Sequence, residues 1–215
     1  MYEDESCVVF NKPAGLLVIP TPKNEKNTLV NIVNHQYALR MKAAHLHPCH
    51  RLDRETSGVI ILAKTKRAQQ MMMELFKQRR VKKKYIAFVR GHLNKRQGEY
   101  RAPVVSLEEK KFRKNFGGEL GITRYKVLEE RKEYSVIEVE PVTGRTNQIR
   151  VHLSQMNHPL LGDRKYSFAR DYELKFRRVA LHAYQLDWTS PTSRKAIHVQ
   201  AELPKDMGEF LIKSR

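Results

Sequence analysis

One acid in this sequence stands in a setting that suits chemistry. Residues 48–65 read PCHRLDRETSGVIILAKT, which places Asp53 between Arg51 and Arg54 and directly before an apolar run. A lone Asp between arginines is more often a surface salt bridge, and an acid that only caps a helix needs no such setting. In a cleft, burial raises the pKa of a carboxyl group, and nearby cations lower it again. The pattern therefore indicates an acid that has to stay ionised beside a core strand.

Three groups of basic residues accompany this acid. They are KQRRVKKK at 77–84, KKFRK at 110–114, and the pair Arg145 and Arg150 within GRTNQIRVHL. A basic run is usually a solvated face, but the first run ends directly at Tyr85. Cations around an aromatic ring suit a nucleic acid strand, because they neutralise phosphates while the ring stacks on a base. Alone, this pattern predicts RNA or DNA binding and no more.

A group of metal-ligand residue types precedes the acid: His45, His47, Cys49 and His50. Structural zinc sites space their ligands more widely and take some of them from a second cluster, which this sequence lacks. The His-x-Glu and Pro-Cys-x-x-Cys pattern of zinc nucleobase deaminases is also absent. We therefore expect no metal at these four residues.

The elements that would position these residues are mostly strands. Apolar or alternating runs predict strands in CVVF (7–10), VIILA (59–63), KKYIAFVRG (83–91) and AIHVQAEL (196–203), and LLVIP (16–20) is expected to be a short extended piece. Gly58 and Gly144 are interpreted as turn positions. Three segments stay open between a strand and a strand-to-helix segment: TRYKVLEE (123–130), EYSVIEVEP (133–141) and TNQIRVHL (146–153).

Two segments show helical spacing. One covers residues 27–39, and the other follows Thr65, the expected N-cap, with a predicted buried face of Ala68, Met71, Met72, Leu75 and Phe76. Because no regular βαβ rhythm appears, the predicted class is α+β, with a mainly antiparallel sheet and flanking helices. We expect a single domain over residues 1–215.

Composition narrows the class of partner. The chain of 215 residues carries 41 Lys and Arg against 23 Asp and Glu, a formal net charge of +18. Such an excess predicts attraction to a polyanion. No apolar run approaches the ~20 residues of a membrane span, and the first residues lack the pattern of a signal peptide. Nucleic acid is therefore favoured over a membrane. Two cysteines are too few for a disulfide framework, so a cytoplasmic location is expected.

The chain resembles the RluA family of pseudouridine synthases in six successive motifs: NKPAGLLVIP (11–20), HRLDRETSG (50–58), KKYIAFVRG (83–91), GRTNQIRVHL (144–153), LLGDRKY (160–166) and LHAYQLDW (181–188). The resemblance covers nearly the whole chain in the right order, and it implies that the sheet is bent and carries a central basic cleft. It departs at Asn147, where the family usually has histidine. Many relatives also carry an N-terminal S4-type RNA-binding domain, whereas this sequence begins near the first catalytic-domain strand, so a stand-alone catalytic domain is expected.

The resemblance implies a role for several residues. Asp53 corresponds to the catalytic aspartate, Arg150 to the arginine that pairs with it, and Tyr85 to the ring that stacks on the flipped uracil. Arg51 corresponds to the residue that enters the RNA helix where the target uridine leaves it. Three further cations are expected to bind RNA: Arg54, Lys84 and Arg145. For the last of these, bracing of its own loop is an equal alternative.

The implied reaction converts a uridine of structured ribosomal or transfer RNA to pseudouridine. The uracil is flipped out, released from C1′, rotated and rejoined through C5. Breaking the glycosidic bond builds positive charge on the sugar, which a carboxylate stabilises. Attack of Asp53 on C1′ and removal of the 2′ proton are both open. Isomerisation needs neither a redox partner nor an energy source, so no cofactor is expected.

Two other functions are less favoured. A non-catalytic RNA-binding or ribosome-assembly module could use the same fold, but such a module has no use for an acid that repels phosphates. A DNA-binding regulator is less favoured still, because no helix-turn-helix or zinc-finger pattern is visible. We expect a monomer whose partner is RNA and which binds neither DNA nor membrane.

Overall fold

The computed structural model describes residues 1–40, 45–105, 118–167 and 174–214. Strands in these ranges are β1 (Tyr2–Glu3), β2 (Cys7–Lys12), β3 (His47–Pro48), β4 (Ser57–Ala63), β5 (Lys82–Arg90), β6 (Gln97–Val104), β7 (Glu119–Glu130), β8 (Tyr134–Pro141), β9 (Leu181–Thr189) and β10 (Ala196–Gln200). Helices are α1 (Leu29–Arg40), α2 (Lys66–Lys77), α3 (Gln148–Gln155) and α4 (Lys205–Lys213). The basic run at 110–114 lies outside the described residues.

The predicted α+β class is confirmed, and the four runs predicted as strands contribute to β2, β4, β5 and β10. The extended piece expected at 16–20 forms no strand there, only an isolated bridge between Leu17 and Thr28. The open segments at 123–130 and 133–141 contribute to β7 and β8. Thr65 caps α2, because its hydroxyl accepts a hydrogen bond from the Ala68 N–H at 3.1 Å. The open segment at 146–153 is resolved as helix α3. None of the helices in the described part of the chain combines the length and apolar character needed to cross a bilayer. The bend of the sheet and the central basic cleft stay predictions.

The chain divides into two compact units, and the first comprises residues 1–82 and 183–202. Its strands follow the order β1-β2-β4-β9, with β3 also paired to β4 and β10 to β9. The β2–β4 pair is antiparallel and runs from Cys7 opposite Ala63 to Lys12 opposite Gly58. Every residue of β4 is buried, so this strand is the centre of the unit. Helix α2 packs its apolar face, including Ala68 and Met72, into the same core.

The second unit comprises residues 83–182 and 203–215. Its strands follow the order β5-β8-β7-β6, and each neighbouring pair is antiparallel. Strand β5 is covered on both faces, as its alternation predicted. Ala87 and Val89 belong to a cluster that includes Ile149 of α3, whereas Phe88 belongs to a cluster that includes Met207 of α4. Because Ala87, Phe88 and Val89 are buried, the middle of β5 fixes the backbone that leads to the half-buried residues before it.

Candidate active site

Asp53 lies in a tight turn of the first unit, immediately before β4. The Thr56 N–H donates to the Asp53 carbonyl oxygen at 3.1 Å, which closes the turn. The Asp53 side chain is half-buried, while Leu52 before it and Thr56 after it are buried. A fully buried strand therefore fixes the backbone that carries the acid, as the sequence pattern predicted.

Gly58 allows the backbone to continue from the Asp53 turn into β4 in close contact with β9. Its φ of +118° belongs to a region that L side chains rarely adopt, and an added Cβ would lie 2.0 Å from the Ala183 carbonyl oxygen. Only glycine fits this close approach of two backbones. The interpretation of Gly58 as a turn residue is wrong, since it lies within β4 opposite Lys12.

A buried lysine braces the same turn. The Lys12 side chain is inaccessible to solvent, and its ammonium donates to three carbonyl oxygens: Leu16 at 2.7 Å, Pro13 at 2.9 Å and Arg54 at 3.2 Å. A buried charge is tolerated only when such partners replace water. Lys12 thus ties the NKPAG turn to the residue directly after Asp53.

We expect Lys12→Met to destabilise the protein and to slow catalysis. The substitution keeps the length of the side chain but leaves buried carbonyl oxygens without their donor, at a cost of roughly 1–3 kcal/mol. Denaturant unfolding and turnover measure the two effects. Exposed Lys23 offers a control, because Lys23→Met is expected to change neither. Wild-type stability of the Lys12 variant would contradict the bracing role.

The two arginines around Asp53 are exposed. Arg54 nevertheless has a fixed position, because its Nε donates to the Gly15 carbonyl oxygen at 3.1 Å and its own carbonyl accepts from the Gly15 N–H at 2.8 Å. Arg51 extends from the segment before the turn. Both guanidinium groups belong to the same short segment as Asp53, as the motif predicted.

The histidine and cysteine group near Asp53 has other partners in the structure. The His50 Nε2 accepts the Ile61 N–H at 3.1 Å, and the Cys49 thiol donates to the His47 carbonyl oxygen at 3.8 Å. Burial raises the pKa of Cys49 to about 12, which disfavours the thiolate that zinc requires. Among the described residues no group of three or more His, Cys, Asp or Glu could hold a metal ion. The absence of zinc stays a prediction that elemental analysis of the purified protein can check.

Tyr85, Arg150 and two further predicted cations, Lys84 and Arg145, belong to the second unit. Tyr85 lies at the start of β5 opposite Val139 and is half-buried against the cluster that includes Ala87. Its alternation with Ile86, which belongs to the cluster on the other face, is as predicted. The ring is therefore held by the sheet at its base and is partly accessible, as a stacking surface must be.

Arg150 is held by three partners on α3 and the following loop. Its Nε and Nη2 donate to the two carboxylate oxygens of Asp163 at 2.8 and 2.9 Å, and Nη1 donates to the Asn147 Oδ1 at 3.1 Å. The guanidinium carbon lies 4.9 Å from the centre of the Tyr166 ring. The arginine side chain is 12% exposed and Asp163 only 1%. Such a bidentate, stacked pair fixes both the position and the plane of the guanidinium group.

Asn147 departs from the family pattern at a position with a special backbone. Its φ of 56° and ψ of 18° are left-handed, a conformation in which asparagine is enriched among non-glycine residues. Its side chain makes no cap hydrogen bond to α3 and instead accepts from Arg150. In this chain the unusual residue therefore helps to hold the predicted site arginine.

The amide of Gln148 anchors the start of α3 to β7. Its Oε1 accepts from the Thr143 hydroxyl at 2.6 Å and from the Arg145 N–H at 3.1 Å. Its Nε2 donates to the Ile122 carbonyl oxygen at 2.9 Å and to the Thr123 hydroxyl at 3.0 Å. Both amide donors and both acceptor positions are used, so the loop that carries Arg145 is firmly placed.

The predicted RNA-binding cations of this unit take part in ion pairs. The Lys84 Nζ lies 3.0 Å from Glu138 Oε1, and the Arg145 Nη1 lies 2.6 Å from Glu119 Oε2. Both pairs are partly exposed, and exposed pairs contribute little energy, so a phosphate can compete for either cation. Burial lowers the pKa of the neighbouring Lys83. The ion pair of Arg145 supports its loop-bracing alternative.

Sequence reasoning missed several residues on which the site depends. Three such residues lie within the six family motifs, although the motifs alone did not indicate their contacts: Lys12, Asp163 and Gln148. A signal was present for Lys12 and Asp163, since a lysine that ends an apolar strand and an acid that follows a glycine in a loop are both unusual core residues. Their partners, however, are set by contacts that the local pattern does not encode.

Comparison with known proteins decides the family. A family model described as RNA pseudouridylate synthase matches residues 6–155, which contain Asp53, Tyr85 and Arg150. The chain belongs to the RNA pseudouridylate synthase family. The resemblance to the RluA family is confirmed, and the catalytic interpretation is supported over the non-catalytic module.

Relatives within this family match most of the chain. Ribosomal large subunit pseudouridine synthase D of Zymomonas mobilis is 35% identical over 96% of this chain and 69% of that protein. Ribosomal large subunit pseudouridine synthase C of Vibrio cholerae is 33% identical over 100% of this chain and 69% of that protein. The solved structure of human RNA pseudouridylate synthase domain containing 4 has a TM-score of 0.84 at 28% identity and covers 100% of this chain and 92% of its own. This pseudouridine synthase is therefore an isomerase that acts on RNA.

Proposed function

We propose that this pseudouridine synthase modifies a specific uridine of ribosomal RNA and that Asp53 carries the chemistry. The observation on which the proposal rests is the braced turn, in which a half-buried carboxylate is held between a buried strand and a buried lysine. The large-subunit names of several relatives favour ribosomal over transfer RNA. Mapping pseudouridines in total RNA from cells with and without the gene tests the assignment, and an unchanged ribosomal RNA map would reject it.

Asp53 acts on the ribose of the target uridine. Cleavage of the N-glycosidic bond leaves the sugar deficient in electrons, and an ionised carboxylate beside C1′ stabilises that state. The same oxygen can add to C1′ or remove the 2′ proton. Both routes need a carboxylate with a fixed direction, which the turn before β4 provides.

Tyr85 and Arg150 complete the catalytic set in this proposal. The Tyr85 ring stacks on the flipped uracil, since one face of a half-buried aromatic residue at a strand end can receive a base. Its hydroxyl lies near the point where the C5 proton has to leave. Arg150 supplies the positive charge that favours the ionised aspartate, with its guanidinium oriented by Asp163 and Asn147.

Four further cations, two from each unit, hold the RNA in this proposal. Arg51 enters the RNA helix where the uridine leaves it, and Arg54, Lys84 and Arg145 bind neighbouring phosphates. The ion pairs of Lys84 and Arg145 exchange their carboxylates for phosphates when RNA binds, which costs little because both pairs are partly exposed. We further propose that residues 1–215 serve as one catalytic domain, which acts as a cytoplasmic monomer and does not use DNA.

Arg51→Ala is expected to slow turnover strongly on a stem-loop whose target uridine is paired. Extruding a paired base costs a few kcal/mol, and Arg51 offsets part of that cost by filling the gap. A substrate in which the uridine is already unpaired should regain much of the lost rate. Single-turnover rates on the two substrates measure the difference. An equal loss on both would assign Arg51 to the geometry of Asp53 instead.

A further inference from the structure

We propose that the outer side of α2, the turn after it and the first residue of β5 form a second RNA-binding surface. It would bind phosphates of the substrate RNA that flank the stem-loop of the target uridine. The proposal deepens the proposed function and rests on it, since it takes the same RNA as the partner. We call this surface the α2 ridge; it consists of six exposed cations: Lys66, Arg67, Lys77, Arg79, Arg80 and Lys82.

The ridge lies in the most cationic part of the described chain. Residues 64–84 contain nine Lys and Arg and a single acid, Glu74. That carboxylate already accepts a hydrogen bond from Gln78 at 2.8 Å and lies 3.9 Å from Lys77. Within the described ranges, the five other ridge cations form no ion pair with an acid. Their charge is therefore available to an outside anion.

Three arginines elsewhere in the described chain are neutralised by acids. On the β6–β7 hairpin, Arg101 and Arg124 both donate to Glu99, at 2.6 and 2.8 Å. In the second unit Arg178 forms a bidentate pair with Asp206 at 2.6 and 2.9 Å. The ridge differs because its helix holds a single acid, Glu74, for several cations, and that acid already pairs with Lys77 and Gln78.

The first turn of α2 carries charge of the unfavourable sign. The N-terminal end of a helix is the positive end of its dipole, where acids stabilise and cations destabilise the helix. Here no acid lies in the first turn, and the first two helical residues are Lys66 and Arg67. The Thr65 cap offsets part of this cost. Cations in this turn therefore lower the stability of the helix, and what they contribute is positive charge on the surface.

The C-terminal end of α2 also carries a cation at a position where it costs stability. The Arg80 N–H donates to the Leu75 carbonyl oxygen at 2.9 Å and the Arg79 N–H to the Phe76 carbonyl oxygen at 3.1 Å, which is a Schellman cap. Arg79 occupies its left-handed position with a φ of 58°. Glycine is the usual residue at this position because it lacks the steric penalty. An arginine here again costs stability and adds exposed charge.

The geometry of the ridge fits a polyanion. Lys66 and Lys77 lie on one side of the helix with exposed Gln70 between them, since residues spaced by four and eleven share a face. They are separated by about 16 Å along the axis. One strand of a duplex carries roughly five phosphates over that length. A membrane is a poorer partner, because the apolar face of α2 is already buried in the core and only Met73, at 51%, is an exposed large apolar residue of this helix.

The proposal is tested by measuring the RNA affinity of variants that lack ridge cations. The probes are two in vitro transcripts, a short stem-loop with the target uridine and the same stem-loop extended by flanking ribosomal RNA. For Lys66→Gln/Arg67→Gln/Lys77→Gln, we expect affinity for the extended transcript to fall at least tenfold at moderate salt. The slope of log K against log salt should become shallower by about 2, because each lost phosphate contact removes roughly 0.7–0.9. Affinity for the short stem-loop should change less than twofold.

A matched control and a single substitution sharpen the test. Arg194→Gln/Lys195→Gln removes two exposed cations from the turn before β10 in the same unit and should leave both affinities unchanged. Arg79→Gly should raise the melting temperature, since glycine suits the left-handed position, and yet weaken binding of the extended transcript. A residue with only a structural role cannot produce that opposite pair of changes.

Several outcomes would overturn the proposal. An unchanged salt slope for the triple variant would make the ridge a solvated face. An equal loss on both transcripts would place its contacts at the target stem, and unchanged RNA binding with loss of an acidic protein partner would assign it to that protein. These binding results do not depend on turnover. If the wild-type protein binds through the ridge but modifies no uridine, the proposed function fails while the ridge stands.

Discussion

Replacement of Asp53 by asparagine is expected to abolish pseudouridine formation. The amide keeps the size and the hydrogen-bonding capacity of the side chain but removes the negative charge and the nucleophilic or basic oxygen. No other group in the turn can substitute, because the adjacent acid, Glu55, is exposed and lies two residues further along the chain. The turn itself should survive, since the Asp53 side chain is not needed for the Thr56 N–H bond to the Asp53 carbonyl oxygen.

Binding separates this loss from a folding defect. RNA affinity of Asp53→Asn should stay equal to or exceed that of the wild type, because a carboxylate near the phosphate backbone no longer repels it. Glu55→Gln is the matched control and should retain activity. The assay has to be chemical, because uridine and pseudouridine have equal mass; selective derivatisation of pseudouridine serves. Retained isomerisation by Asp53→Asn would remove the aspartate from the mechanism.

The second large effect is expected at Arg150. Arg150→Met leaves the Asp163 carboxylate buried, at 1% exposure, without the guanidinium that binds both of its oxygens. Breaking such a buried pair typically destabilises a protein by about 3–5 kcal/mol. We expect a loss of that size in the free energy of unfolding, together with loss of turnover at temperatures where the variant is folded.

Further variants divide the stability effect from the catalytic one. Arg150→Met combined with Asp163→Asn removes the uncompensated charge, so stability should recover in part while activity stays absent. Arg124→Met breaks the ion pair with Glu99 on the exposed face of β7 and should leave both stability and turnover near wild type. Full activity of the doubly substituted protein would exclude a catalytic role for Arg150.

The sequence predicted the positions of strands and helices better than the contacts of their side chains. The apolar run from Tyr85 to Val89 located β5 correctly, because a strand that is covered on both faces is apolar at successive positions. Apolar patterning could not recognise α3, since Gln148 and His152 are polar residues that are nonetheless buried. Their burial is possible only because distant groups of β6 and β7 satisfy their hydrogen bonds, as Thr123 does for both.

For the site, the sequence predicted which residues share a segment but not the contacts between distant segments. Asp53, Arg51 and Arg54 share one short segment, so their proximity followed from the chain itself. The pairing of Arg150 with Asp163 spans thirteen residues and joins a helix to a loop, and the contact of Lys12 with Arg54 spans forty-two. Contacts over such separations are set by the tertiary fold. Gly58 shows the limit most clearly, because its need for glycine comes from the backbone of Ala183, far along the chain.

Proton release from C5 tests the central claim most directly. Ribosomal RNA transcribed with uridine tritiated at C5 is incubated with the purified wild-type protein, and tritium that enters the solvent is counted. Formation of pseudouridine replaces the C5 hydrogen with the glycosidic bond, so each event releases one label. We predict release that reaches a plateau at one uridine per RNA molecule, with none for Asp53→Asn. Absence of release from every ribosomal and transfer RNA of the cell would contradict the assignment of this chain as an active synthase.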